Sequence, residues 1–229
     1  MERGGVSTVG LDTRTLWYLS RGTGMVTLML LTLTLVLGIA AMREGRWLGA
    51  PRFVLSGLHR NVSLLVVAFV SVHIATSVVD PFVGIRLIDA IVPFVSSYRT
   101  VWVGLGALAV DLLAAVIVTS LLRVRLGLRA WRAVHWAVYL IWPVAVVHAL
   151  GTGSDVQSGL LPVVVAVCTA VVLAAGALRV ATADIPAWQR GAWATTGVAV
   201  MLVVTAWTLG GPLQTGWARS ASIVVWGHP

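Results

Sequence analysis

The sequence predicts an all-α protein, a polytopic membrane bundle of six transmembrane helices with a short interfacial helix between helices 2 and 3. Two observations carry this expectation. Of the 229 residues 59% are hydrophobic and only 10% charged, with a mean hydropathy of +0.95. Soluble domains average about 45–50% apolar and about 25% charged residues, so this composition leaves too little polar surface to coat a water-facing domain. The apolar residues also fall into six runs of the length needed to cross a bilayer, about 20 residues each.

The runs cover roughly 22–42, 58–79, 100–122, 133–150, 159–179 and 191–211. The first is too long for the core of a cleaved leader and no convincing cleavage site follows it, so it counts as a membrane helix. Residues 80–99, "DPFVGIRLIDAIVPFVSSYR", are too short and interrupted to span. Pro81, Gly84 and Pro93 bracket a mixed apolar and charged segment there, which reads as an interfacial helix over one mouth of the bundle. The expected organisation is an N-terminal tail 1–21, a six-helix transmembrane domain 22–211 and a C-terminal tail 212–229. The single cysteine, Cys168, excludes an intrachain disulfide and a thiolate metal cluster.

All sixteen basic residues are arginine. Ten of them, including Arg43, Arg52, Arg60, Arg123, Arg132 and Arg179, fall in the 1–2, 3–4 and 5–6 connections. Six lie on the other side: Arg3, Arg14, Arg21, Arg86, Arg99 and Arg219. Positive residues collect on the cytoplasmic side, so both termini are expected to be extracytoplasmic. The +8 charge is read as topology and lipid contact, with no nucleic-acid partner. Trp17, Trp47, Trp102, Trp131, Trp188 and Trp217 lie near helix ends and read as interfacial anchors.

The histidines are the unusual feature. His59 and His73 both lie on the second span, and His135 and His148 on the fourth; the fifth, His228, is the penultimate residue. At 1.5 Å per residue the members of each pair are about 20 Å apart along the helix. Spans two and four run parallel, so His59 is level with His135 near the cytoplasmic face and His73 with His148 near the outer face. Two imidazoles reaching in from two helices suit the axial positions of a haem iron. Zinc would want four ligands. A lone intramembrane histidine is commonly a polar residue bonded to a neighbouring helix, but four in two matched levels are hard to produce that way. One point resists: at about 100° per residue, His148 falls about 140° from His135 in a straight helix; Pro143 between them is expected to bend it, and kink, tilt and rotamer choice together would have to absorb the difference.

"LHRNVSLLVVAFVSVHIATSVVDPF" and "LGLRAWRAVHWAVYLIWPVAVVHALGTGSD" resemble the ferric reductase-like transmembrane domain, the superfamily of di-haem membrane cytochromes that includes the haem domains of NADPH oxidases and ferric reductases. The resemblance covers about 58–150, and the all-arginine, Val/Ala/Leu-rich style looks like a stand-alone actinobacterial member in a bacterial plasma membrane. It implies two b-type haems, with His59 and His135 ligating the inner one and His73 and His148 the outer. It further implies electron transfer between a separate donor, a flavoprotein or quinol, and an extracytoplasmic acceptor, as a subunit of an oxidoreductase system. Relatives usually carry a flavin and nicotinamide domain after these spans. Here "GLGALA" (104–109) lies inside a span with no strand before it and is no dinucleotide site.

Other polar residues are candidates for support. Asp111, in the middle of the third span, could accept a hydrogen bond from a ligand imidazole, act as a proton site, or bond to a neighbouring helix. Arg60 and Arg132 on the inner side and Arg99 on the outer side are candidate propionate contacts; topology signals are the plain reading of the same residues. Trp136 and Trp142 are candidates to pack on the porphyrins. Two alternatives stand beside the electron-transfer reading. One is a non-redox membrane scaffold or transporter subunit with structural histidines. The other is a complete small reductase acting on ferric iron or oxygen, for which no preformed site is visible.

Overall fold

A computed structural model describes residues 13–41, 50–81, 83–152, 156–157 and 159–217. Arg3, Arg43, Arg46, Trp47, Arg219 and His228 lie outside the described residues. The described chain is all helical: α1 (Thr13–Ala41), α2 (Arg52–Val79), α3 (Leu87–Ile91), α4 (Thr100–Leu121), α5 (Arg123–His135), α6 (Val138–Thr152), α7 (Leu160–Ala181) and α8 (Ala187–Gly210). Helix is what hydrocarbon demands, because each backbone N–H and C=O must find its partner within the segment. Among the described residues five helices, α1, α2, α4, α7 and α8, are long and apolar enough to cross a membrane, and the pair α5–α6, bent by 41°, brings the count to six when it is taken as one broken span.

The spans match the six apolar runs, with differences at their ends. α1 begins at Thr13 and α2 at Arg52, ahead of the expected 22 and 58, so both exceed the roughly 20 residues that hydrocarbon requires. Apolar patterning marks only the lipid-buried part, and the polar first turns extend beyond it. Pro51 opens α2, where its missing N–H and fixed φ are harmless. α2 stops at Asp80, whose N–H bonds to the Thr76 carbonyl before Pro81. The expected interfacial helix is α3, a single short turn in segment 83–99. An unexpected element is α5, "RVRLGLRAWRAVH", an arginine-rich helix with no buried residue and a break at Gly127, whose φ is +76°. Its charges mark the connection, and its amphipathic pattern at the helical period is a signal that run-length alone does not register.

α1 is the central helix and packs on α2, α6 and α7; α4 packs on α6, α3 and α5; α8 packs on α7. Leu28 of α1 joins Val146, Leu150, Leu161, Val165 and Cys168 in a core cluster between α1, α6 and α7. Polar contacts tie the same helices: Ser20 Oγ lies 2.7 Å from Ser77 Oγ, and Trp142 Nε1 donates to Thr32 Oγ1 at 2.9 Å. Such bonds are each worth about 0.6 kcal/mol in lipid. Trp102, Trp207 and Trp217 pack on one another with ring centres 5.4–6.2 Å apart, joining α4, α8 and the segment after it.

Candidate functional site: two facing histidine pairs

The histidines meet in the pairs that depth suggested. The ring centres of His59 and His135 are 6.5 Å apart, and those of His73 and His148 are 6.4 Å apart. Span four makes this possible by breaking, though not at Pro143, which sits within helical α6. The break follows His135 directly, with a 41° bend between α5 and α6. There the N–H groups of Ala137, Tyr139 and Leu140 bond to carbonyls three residues back instead of four, at 2.9–3.1 Å. Three residues per turn overwind the helix by about 20° per residue. Three such residues recover about 60° of the 140° offset, and the bend and side-chain rotamers are left to take up the rest. The bend expected between the two histidines therefore lies at a tightened turn just after His135 and not at Pro143.

Three of the rings are held in one way. His59 Nδ1 donates to the Thr34 carbonyl at 3.0 Å, His73 Nδ1 to that of Ser20 at 2.8 Å, and His148 Nδ1 to that of Trp102 at 2.7 Å. A carbonyl acceptor fixes the proton on Nδ1 and leaves the Nε2 lone pair for a metal. Four residues beyond each acceptor stands a glycine, on the same helix face: Gly38, Gly24 and Gly106. A Cβ on Gly106 would lie 2.6 Å from His148 Cε1; on Gly24, 3.1 Å from His73 Cε1; on Gly38, 3.4 Å from His59 Cε1. The absent side chains make room for imidazoles laid against the backbone. Sequence reasoning missed these glycines; their signal was glycine inside apolar helices, where it is disfavoured by about 1 kcal/mol against alanine. His135 differs, since its Nδ1 is buried without a hydrogen-bond partner among the described residues. Its ring instead stacks on Trp131, with centres 4.8 Å apart and planes at 28°.

A cavity of about 400 Å³ lies at the His73–His148 level, within the size range of cofactor sites. Its apolar walls include Leu28, Val70, Val103, Ala107, Ile141 and Ala145, and its rim includes Arg21, Asp80, Asp89, Tyr98 and Arg99. Arg99 is buried, adopts φ +46°, and donates to the Thr152 carbonyl at 2.8 Å. Arg21, counted in the sequence only as a topology charge, lines the same cavity. Segment 83–99 lines this cavity through Val83, Ile85, Asp89, Ala90, Tyr98 and Arg99, and Asp89 braces the start of its own helix, α3. The Asp89 side chain, fully buried, takes Arg86 NH2 at 2.8 Å and the Arg86 backbone N–H at 3.0 Å. That side-chain bond holds the Asp89 carboxyl below the usual carboxylate range.

The remaining candidates stand apart. Arg60 and Arg132 are exposed side chains beside the His59–His135 level. Asp111 faces outward from α4; the three anchored Nδ1 atoms have backbone carbonyls as partners and do not use it. Trp136 is also exposed, and Trp142 is committed to Thr32.

Does this donor set fit a haem? Two metal–nitrogen bonds of about 2.0 Å each, plus roughly 1.1 Å from each nitrogen to its ring centre, separate two trans imidazole centres by about 6.2 Å. The observed 6.4 and 6.5 Å match. No cluster of three or more His, Cys, Asp or Glu side chains that could hold a metal ion occurs among the described residues, so each pair would supply two nitrogens at most and the rest of a coordination shell would have to come with the bound group. A macrocycle fits that donor set. No curated protein and no solved structure matches the chain. The sequence does match, over residues 22–146, the family described as ferric reductase like transmembrane component; the His59–His135 pair, His73 and most of the cavity walls fall in that stretch, and His148 lies two residues beyond it. With more than half its length inside the match, the chain belongs to the ferric reductase-like transmembrane family.

Proposed function

We propose that this protein is a b-type di-haem membrane subunit that carries electrons across the bilayer. The observation that supports it best is the presence of two facing imidazole pairs, each at trans-ligation distance, at levels about 20 Å apart along the helices. Each haem, when bound, supplies a one-electron carrier, and two at these levels form a relay through most of the hydrocarbon thickness. His59 and His135 would hold the inner haem, and His73 and His148 the outer. The backbone carbonyls of Thr34, Ser20 and Trp102 orient three of the rings and raise their basicity. Arg21 and Arg99 place positive charge at the rim of the outer cavity, where anionic propionates would sit. Apolar walls exclude water, and segment 83–99 lines the outer cavity and adjoins the surface where an acceptor would dock. The arginine bias puts the His59 level toward the cytoplasm, where a separate flavoprotein, or a quinol in the membrane, would donate.

The test is transfer across a sealed bilayer. Protein reconstituted in vesicles, with ferricyanide trapped inside and dithionite added outside, should reduce the trapped oxidant at a rate proportional to protein. His73→Ala should abolish transfer. Trapped ferricyanide reduced no faster than in protein-free vesicles would refute the proposal.

A further inference from the structure

The four histidines are not equally held. His59, His73 and His148 each donate Nδ1 to a carbonyl and lie against a glycine on a packed helix. His135 has neither support. Its Nδ1 is buried without a partner among the described residues, and no described glycine comes within 4 Å of its ring through an added Cβ. It is the last residue of α5, which has no buried residue, and the 41° break begins immediately after it. Its one lateral restraint is Trp131, itself tied by Nε1 to Ser120 Oγ at 3.2 Å and capped by Arg123 5.7 Å from the ring. Loss of the group that orients a ligand imidazole lowers metal affinity by about 10- to 100-fold. A helix end with little buried surface also opens locally at low cost.

We infer that His135 is the exchangeable ligand of the four, so that the His59–His135 level offers a binding position to a small neutral donor of the carbon monoxide class. The inference rests on the haem reading above. Were a haem held here, His135 would give up its Nε2 contact to the metal and leave as a neutral imidazole, and the lone pair of the incoming donor would take its place; no electron would change hands and no proton would have to move. His59, opposite, stays bound through its Thr34 anchor, while the His73–His148 level stays closed.

Carbon monoxide titration of the purified, dithionite-reduced full chain tests this. One equivalent should bind for every two haems. His135→Ala should still bind one equivalent, at least about tenfold faster, because no ligand has to leave first. Trp131→Ala should speed uptake in the otherwise intact chain about two- to tenfold, the weight of one aromatic contact. Zero or two equivalents in the unmodified chain overturn the inference, and that result needs no variant to fold. Two equivalents in His135→Ala also overturn it, because the wild-type site is then at the other level. A chain with two stable haems and no uptake sinks this inference alone, whereas a chain that takes up no haem sinks it together with the proposed function.

Discussion

Adding one methyl group at Gly106 should empty the His73–His148 level while leaving the fold intact. The new Cβ would lie 2.6 Å from His148 Cε1 and 2.7 Å from Nδ1, closer than side chains tolerate. The ring cannot retreat without stretching its 2.7 Å bond to the Trp102 carbonyl, which belongs to the same helix as the methyl. Losing that bond costs about 0.5–1.5 kcal/mol, and overpacking adds about 1–3 kcal/mol. Together they weigh about 1.5–4.5 kcal/mol against the ligating pose, or roughly 10- to 1,000-fold in retention of the outer haem. The helix itself gains, because alanine is preferred to glycine by about 0.8–1 kcal/mol. Graded controls sit in the same structure. Gly24→Ala, with contacts at 3.1 Å, should weaken the same level by about tenfold or less, and Gly38→Ala, at 3.4 Å, should leave the His59 level unchanged. The assay is the haem-to-protein ratio after purification, with circular dichroism as the control for helicity. Full occupancy and unchanged spectra in Gly106→Ala would refute the cradle, as would equal losses in all three variants.

Three further outcomes are expected. Asp111→Asn should leave the spectra and midpoint potentials of both haems unchanged, since the carboxylate faces outward from α4; a shifted potential on redox titration would return it to the site. Thr32→Val removes the acceptor of the Trp142 indole and should destabilise the bundle by roughly 0.6 kcal/mol, and by no more than about 1.7, in detergent unfolding. The Arg86–Asp89 pair should stabilise the start of α3 at neutral pH. Because the folded-state pKa of Asp89 is depressed, its stabilisation is fully present above the ordinary carboxylate pKa of about 3.9 and is lost as pH falls through the lower folded value. Protease resistance around α3 should therefore fall only below the ordinary carboxylate pKa, and Asp89→Asn should abolish that pH dependence.

The spans and the histidine pairing were legible because they follow from one-dimensional quantities. Run length sets the number of crossings, and axial rise sets which histidines share a level. Rotation about the axis was not legible. The 140° offset between His135 and His148 is real in a regular helix, and Pro143 drew attention as the visible irregularity. The tightened turn at 136–140 carries no proline or glycine, so nothing in its residue types announced it. The anchors were hidden for a related reason. Backbone carbonyls are the same at every position, so Thr34, Ser20 and Trp102 gain their role only from packing, and Gly24, Gly38 and Gly106 look like ordinary lipid-helix glycines until imidazoles are placed against them. Arg21 was read only as a topology charge because the first helix was drawn from residue 22, one position too late to include it; the structure adds that it lines the cavity.

The central claim, two trans-imidazole pairs built to hold two haems, is tested most directly by the optical spectrum of the purified full-length chain with a haem assay. Dithionite-reduced minus oxidised spectra should show b-type bands with two haems per chain, and one haem should disappear in His148→Ala. A colourless, folded protein purified from haem-replete cells would contradict the account.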